Sequence, residues 1–588
     1  MIISTLDWAI IIGFFVISML IGVFASRTAG KSAKEFFLSG RNMPWWLLGV
    51  SMVATTFSAD TPNLVTDIVR KNGVSGNWVW WAFLLTGMLT VFVYAKLWRR
   101  SELTTDLEFY EIRYGGKAAA FLRAFRALYL GVFFNVVIMA TVSLAAIKIG
   151  GVMLGLSPMQ TMLIASVVTV IYSSLGGLKG VLLTDFLQFF IAMAGSIGAA
   201  IYVLGLPEIG SLNNLLTHPN VAGKLNMLPD FSDTANLVPL LLIPLAVQWW
   251  ATWYPGAEPG GGGYIAQRML SAKNEKNAMG ATLFFNITHY ALRPWPWIIV
   301  ALASLVIFPQ ISDLKAAFPH LSENTLNDDL AYSAMLTFLP SGLLGIVLAS
   351  LIAAFMSTIS THLNWGSSYV VNDFYLRFVK PEATDKEQVM VGRISTVLLM
   401  VFAAILALGL SNALQAFDIL LQIGAGTGLI FILRWFWWRI NAYTEISAMI
   451  VSFIVALYFE IGHEKLGFEP ILSHWKLLMG VGITTLSWVV VTLVTAPEKD
   501  EVLLAFYRKV RPAAFGWNNL LKRYPDEVAE PGRLPIEIGL MLIASVMVYS
   551  AVFATGYWIY GNVTAAVITT IISIIGGVVI VANWKTIK

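Results

Sequence analysis

Residues 50–67 read VSMVATTFSADTPNLVTD. The run begins as a membrane helix would, yet Thr55, Thr56, Ser58, Asp60, Thr61, Pro62 and Asn63 interrupt it midway. Pro62 has no amide with which to continue the helical ladder. Unpaired backbone at membrane depth is tolerated only where it is buried in protein or lines a cavity. The stretch therefore predicts a helix broken inside the bilayer. A second such stretch follows at 238–268, VPLLLIPLAVQWWATWYPGAEPGGGGYIAQR, interrupted at Pro244 and again at Pro255, Pro259 and the Gly260 to Gly263 run.

The chain around these breaks has 588 residues, 57% hydrophobic and 12% charged, with a mean hydropathy of +0.73. Such a composition belongs to a polytopic membrane protein. Apolar runs of about 20 residues lie near 6–26, 45–69, 78–98, 123–150, 158–176, 181–205, 238–256, 282–308, 341–376, 391–410, 414–436, 445–461, 475–496, 536–558 and 563–583, about fifteen spans. With the N-terminus outside, loops on the cytoplasmic side, 268–276 among them, hold 30 of the 38 Lys and Arg. The opposite side holds Arg70, Lys71, Lys224, Lys315, Lys465 and Lys476. That asymmetry is the positive-inside pattern; it predicts an inner (cell) membrane protein with its C-terminus in the cytoplasm. The first span lacks a basic n-region and a small-residue cleavage site, so it reads as a retained helix. The linker 497–535 is charged and amphipathic and reads as a cytoplasmic surface helix.

Several chemistries are disfavoured. There is no cysteine, and the six histidines are scattered without ligand spacing. GAEPGGGG lacks the GK[ST] of a phosphate-binding loop, and no catalytic constellation falls within the spans. The expectation is a protein that is not an enzyme and binds no nucleic acid.

The broken spans are the second and the seventh, five apart. Interrupted segments at matching positions of two five-helix halves point to an inverted-repeat transporter with its site at the midplane. The ninth span adds LIAAFMSTISTHLNWG, residues 351–366. At helical spacing Ala354, Ser357, Thr358 and Thr361 share one arc of about 100°, with Ser360 beside it. Clustered hydroxyls with free carbonyls from a broken helix could ligate a hard monovalent cation, and Na⁺ suits such a set. Asp185, a carboxylate inside the sixth span flanked by Thr184 and Gln188, either faces a pathway or pairs with Lys179 near the headgroups.

EFFLSGRNMPWW (35–46), LEFYEIRYG (107–115), GGLKGVLLTDFLQ (176–188), GGYIAQRMLSAK (262–273) and AAFMSTIST (353–361) together resemble the sodium:solute symporters, which include sodium/glucose, sodium/proline and sialic acid cotransporters. The resemblance covers about residues 5 to 440 and implies an all-α, leucine-transporter-like 5+5 inverted-repeat core. An extra N-terminal helix and linker would occupy 1–44, the repeats 45–206 and 207–440, and about four further helices, with the amphipathic linker, 441–588. It also implies a primary Na⁺ site at the carbonyls of Ala54, Phe57 and Ala354 with the hydroxyls of Ser357 and Thr358. Some members bind a second Na⁺, for which Asp185, Ser357, Ser360 and Thr361 match, so one or two ions are expected.

The substrate contacts of sugar-transporting relatives do not carry over, because Thr61 stands where they have glutamine and the second break is longer. Asp60, Thr61, Gln248, Trp249, Trp250, Trp253 and Tyr254 are substrate candidates by their place at the breaks. Arg293, in HYALRPWPW, is either a counter-ion for an acidic solute or a snorkelling interface residue. The expected function is Na⁺-coupled symport of a small polar organic solute, a sugar or sugar-like molecule first, by a lipid-embedded functional monomer. An amino acid or monocarboxylate is the alternative cargo, and a sensor or channel without coupling the alternative class.

Overall fold

Val50–Asp67 folds as two helices that meet without joining. Helix α2 runs Trp45–Thr56, residues 57–60 leave the helical path, and α3 resumes at Thr61–Asn72 with Pro62 in its first turn, where the missing amide costs nothing. The computed structural model describes residues 3–252, 258–319, 326–409, 424, 426–527 and 533–584.

Among the described residues, 11 helices are long and apolar enough to cross a membrane. They are α1 (Thr5–Ala29), α4 (Val74–Ser101), α5 (Gly116–Ile149), the second limb of α6 (Gly176–Leu204), α9 (Glu275–Ile307), α10 (Leu343–Val379), α11 (Asp385–Gly409), α12 (Ala442–Glu460), α13 (Ser473–Val494), α15 (Leu534–Ile559) and α16 (Val563–Asn583). Three shorter apolar helices, α2, the first limb of α6 (Pro158–Ile171) and α7 (Thr234–Ala246), match the second, fifth and seventh expected spans. The expected span at 414–436 lies largely outside the described residues.

Helix α6, Pro158–Leu204, holds 47 residues, about 70 Å if straight against a hydrocarbon core of about 30 Å. It bends at Gly177, whose φ of 52° and ψ of −159° only glycine adopts easily. A Cβ there would lie 2.7 Å from the Phe36 carbonyl oxygen, so the tight turn also needs the bare backbone.

α10 is the most enclosed span: 83% of its apolar window is buried, against 17% for α16. It packs along α6, and α1 covers both. Asp7 pins α1 there by accepting the Gly342 and Gly345 amides at 2.7 and 2.8 Å. α2 lies against α9, α6 and α10, while α3 leans on the later half of α9. The pairs α12–α13 and α15–α16 flank this core.

The amphipathic linker is not a free surface helix. Its α14 (Asp500–Val510) buries Leu503, Leu504, Phe506, Tyr507 and Val510, and Phe506 packs edge-on against Phe109 at 5.5 Å. Its apolar face is covered by protein.

Candidate functional site

Ending α2 at depth leaves carbonyls that no following turn can pair. The Ala54 carbonyl takes the Phe57 amide at 3.1 Å. The Thr55 carbonyl accepts the Thr358 hydroxyl from α10 at 2.8 Å, a hydroxyl that also reaches the Ala354 carbonyl at 3.1 Å. The Thr56 carbonyl accepts Arg293 Nη1 from α9 at 2.5 Å. Side chains of two other helices thus take over from the missing turn. Ala54, Phe57, Ala354, Ser357 and Thr358 are all buried around this junction.

Next to it, Ser357 donates to Asp185 Oδ1 at 2.6 Å, and Ser51 donates to Asp185 Oδ2. Lys179 reaches Thr28 instead, so the pairing near the headgroups does not form. The partner of Asp185 is Arg268, whose Nη2 lies 3.6 Å from Oδ2 with both side chains fully buried. Arg268 Nη2 also donates to Thr361 at 2.8 Å and to Ser51 at 3.1 Å, and Thr361 contacts Thr55 at 2.9 Å. Asp185, Ser357 and Thr361 therefore converge, with a guanidinium among them. Ser360 bonds back to the Ser357 carbonyl at 3.1 Å.

Arg268 was placed by sequence in a basic cytoplasmic loop. It lies in helix α8, Gly263–Ser271, every residue of which is buried. Such a pair must hold together: removing one partner strands the other charge.

Above the break is a cavity of about 230 Å³. It runs from Thr55, Thr56 and Tyr264 up to Asp67, Lys148 and Asp329. Asp60, Thr61, Gln248 and Arg293 line it; Trp249 and Trp250 are not among its lining residues, and Trp253 and Tyr254 lie outside the described residues. Gln248 is tethered to the Val79 carbonyl at 2.7 Å.

Arg293 is no snorkelling residue, being 1% exposed. Its guanidinium lies over Trp297 at 5.2 Å and Phe57 at 5.8 Å. Sequence reasoning missed His289, one turn earlier on the same face. Its Nε2 lies 3.2 Å from Arg293 Nη2, and its Nδ1 3.0 Å from Thr56 Oγ1. Arginine can only donate, so Nε2 accepts and Nδ1 carries the proton. It also missed Trp80, stacked on Tyr290 at 5.7 Å and forming an aromatic wall; the i, i+4 spacing of His289 and Arg293 was the available signal.

At the opposite end a polar network joins α5 to α10. Arg123 pairs with Asp373 at 2.7 Å and with Glu111 at 2.6 Å, and Arg377 pairs with Glu111 at 2.9 Å.

The sodium:solute symporter family profile matches residues 36–452. The chain belongs to the sodium:solute symporter family. Among its relatives, the sodium/glucose cotransporter of Vibrio parahaemolyticus is 26% identical over 471 residues, 76% of this chain and 83% of that protein. The sodium/sialic acid symporter of Proteus mirabilis is 25% identical over 469 residues, 77% of this chain and 89% of that one. The sodium/myo-inositol cotransporter 2 of Oryctolagus cuniculus is 26% identical over 471 residues, covering 74% and 67%. A solved Na⁺-coupled sialic acid symporter, substrate-bound and outward-open, superposes with a TM-score of 0.69 at 20% identity over 84% of this chain and 99% of that chain. This symporter thus has the leucine-transporter-like fold expected of it, in a multi-pass membrane chain.

Proposed function

We propose that this symporter couples downhill Na⁺ entry to uptake of a small polar organic solute, sugar-like in size and hydroxyl content, by alternating access. The observation that carries the reading is the junction of the α2 break with the hydroxyl face of α10, where Thr358 meets the Thr55 carbonyl at 2.8 Å. Na⁺ sits between the carbonyls of Ala54, Phe57 and Ala354 and the hydroxyls of Ser357 and Thr358, bridging the two elements. An ion bound equally in both states would shift nothing, so it must hold the break and α10 together in one state only.

With the N-terminus outside, the mouth at Asp67, Lys148 and Asp329 faces outward and the Arg123–Asp373 network closes the cytoplasmic side. The repeats 45–206 and 207–440 rock about the solute in the α2–α3 cavity. Arg268 fills the place of a second cation at Asp185, so a second ion enters only when Arg268 withdraws.

At a potential of about 100 mV one charge gains roughly 2.3 kcal/mol, and a tenfold gradient adds about 1.4 kcal/mol. One ion then sustains roughly a 500-fold accumulation of a neutral solute, and two about 10⁵-fold. The test is uptake into proteoliposomes with an imposed Na⁺ gradient, together with counterflow. Concentrative uptake that collapses when choline replaces Na⁺ supports symport. Equilibrating flux indifferent to Na⁺ contradicts it.

A further inference from the structure

We propose that the cytoplasmic segment 497–524 is a strap across the inner seam of this symporter, one that must lift from α4 before the cavity can open to the cytoplasm; this rests on the α2–α3 cavity being the solute site. Val79, Trp80 and Phe83 of α4, with His289, Tyr290 and Arg293 of α9, line one side of that cavity, and α5 lines another from Val137 to Lys148. Cytoplasmic access requires α4 and α9 to part from α5 at their inner ends. The C-terminal helices divide between the same two sides. α12 keeps to α5: Tyr114, just ahead of α5, donates to Glu445 Oε1 at 2.6 Å, Arg126 Nη1 lies 3.4 Å from Met449 Sδ, and α13 packs on α12. α15 keeps to α4 and α9: Lys96 and Glu537 form a buried ion pair, and Tyr549 donates to the Trp81 carbonyl at 3.0 Å with its ring 4.9 Å from Trp78. It also packs on the Thr288–Leu292 stretch of α9. The segment 497–524 belongs to the chain that leads from one set to the other.

On the α5 side the segment is built in. Glu498 accepts the Gly115 amide ahead of α5 at 3.0 Å and the Ala442 amide at the start of α12 at 3.2 Å, carboxylate contacts that suit helix N-termini. Phe506 and Trp517 stack at 5.7 Å, and the Arg113 guanidinium lies over both rings at 5.5 and 5.1 Å. Trp517 Nε1 donates to the Trp435 carbonyl at 3.0 Å, and the Gly516 carbonyl accepts the Trp438 amide at 3.2 Å. A Cβ on Gly516 would fall 1.8 Å from the Phe436 carbonyl oxygen, so backbone meets backbone there with no room for a side chain.

Towards α4 the hold is lighter. α14 lies along the inner end of α4 and turns its last carbonyls to Arg100. That guanidinium is gripped by Glu275 of α9 through Nε and Nη2 at 3.0 and 3.1 Å. Its Nη1 reaches the Val510 and Arg511 carbonyls at 3.5 and 3.3 Å. These bonds are long, and the Arg100 side chain is partly open to solvent. The strap therefore stays with α5 and parts from α4. Contacts made in one state only shift the balance towards that state, so the strap favours the arrangement closed to the cytoplasm, alongside the Arg123–Asp373 network.

The experiment unseats the strap and reads both faces of the protein. The cysteine-free chain carries one reporter at a time: Ser367→Cys, buried in the cytoplasmic half of α10, or Thr141→Cys, in the cavity lining on α5. Thiol modification of the purified full-length protein is timed in choline and in Na⁺. The lesions are Gly516→Ala, Trp517→Leu and the milder Phe506→Leu, with Phe515→Ala, at 79% exposure in the same segment, as the control. In choline each lesion should speed modification of Ser367→Cys at least roughly threefold and slow that of Thr141→Cys, a population shift, while the control changes neither. Opposite movement of the two reporters is what a merely loosened fold cannot give. Faster modification at both positions, or no change at either, overturns the strap. Where one lesion fails to fold, the remaining two decide. If Na⁺ moves neither reporter in the unlesioned protein, the Na⁺-coupled reading falls, and opposite movement on lesion in choline still upholds the strap.

Discussion

Thr358 Oγ1 lies 2.8 Å from the carbonyl oxygen of Thr55, joining the hydroxyl face of α10 to the last turn of a helix that stops inside the membrane. This contact joins two elements some 300 residues apart in the chain and gathers their carbonyl and hydroxyl oxygens at one junction. Its consequences can be measured one residue at a time.

Thr358→Val keeps the shape and removes the oxygen. The ion would lose one oxygen ligand; taking about 1.5–3 kcal/mol, the scale of a polar contact to a charged group, the Na⁺ concentration for half-maximal uptake should rise at least roughly tenfold. Thr358→Ser should stay near wild type. Na⁺ titrations of uptake check both.

Asp185→Asn strands the Arg268 charge among neutral groups. Breaking a buried pair costs about 3–5 kcal/mol, so the melting temperature should fall clearly. The double variant Asp185→Asn with Arg268→Gln should recover much of it. If Arg268 gives way to a second ion during the cycle, the double variant also lowers the Na⁺ Hill coefficient towards one. Thermal unfolding in detergent and a Na⁺ uptake curve separate the two effects.

Gly177→Ala places a Cβ against the Phe36 carbonyl in a backbone region reserved for glycine. The expected loss is about 1–3 kcal/mol, read as reduced folded yield and melting temperature. Gly116, also at positive φ but with nothing within 4 Å of a Cβ, is the control: it carries backbone strain without the clash.

Breaking the network at the closed end should shift the conformational balance. Arg123→Ala removes the partner of Asp373 and Glu111 and should favour the arrangement open on that side. The chain has no cysteine, so a single Ser367→Cys, a fully buried position on α10, reports the opening. Thiol modification should be faster in the Arg123→Ala background, and Na⁺ should slow it.

The two breaks and the hydroxyl stripe were legible because they violate a strong local rule: Pro62 and the polar run 55–63 cannot sit in an ordinary lipid-facing helix, and Ser357, Thr358 and Thr361 repeat at helical spacing. Arg268 was not legible, and Arg293 was legible only as one of two readings, a counter-ion or an interface residue. A basic residue after a glycine run reads as loop, and one beside Pro294 and Trp295 reads as interface. Only tertiary packing reveals that both are buried, one compensated by Asp185 and the other facing the cavity. Trp249 and Trp250 show the converse, since proximity to a break in sequence did not make them part of the cavity lining.

The most direct measurement is equilibrium binding of radioactive sodium to purified wild-type protein and to the double variant Ser357→Ala with Thr358→Ala, each also carrying a thermal-unfolding control. Saturable binding by wild type that weakens at least tenfold in a folded double variant is the result predicted by an ion held between the α2 break and α10. Undiminished binding in that variant would contradict it.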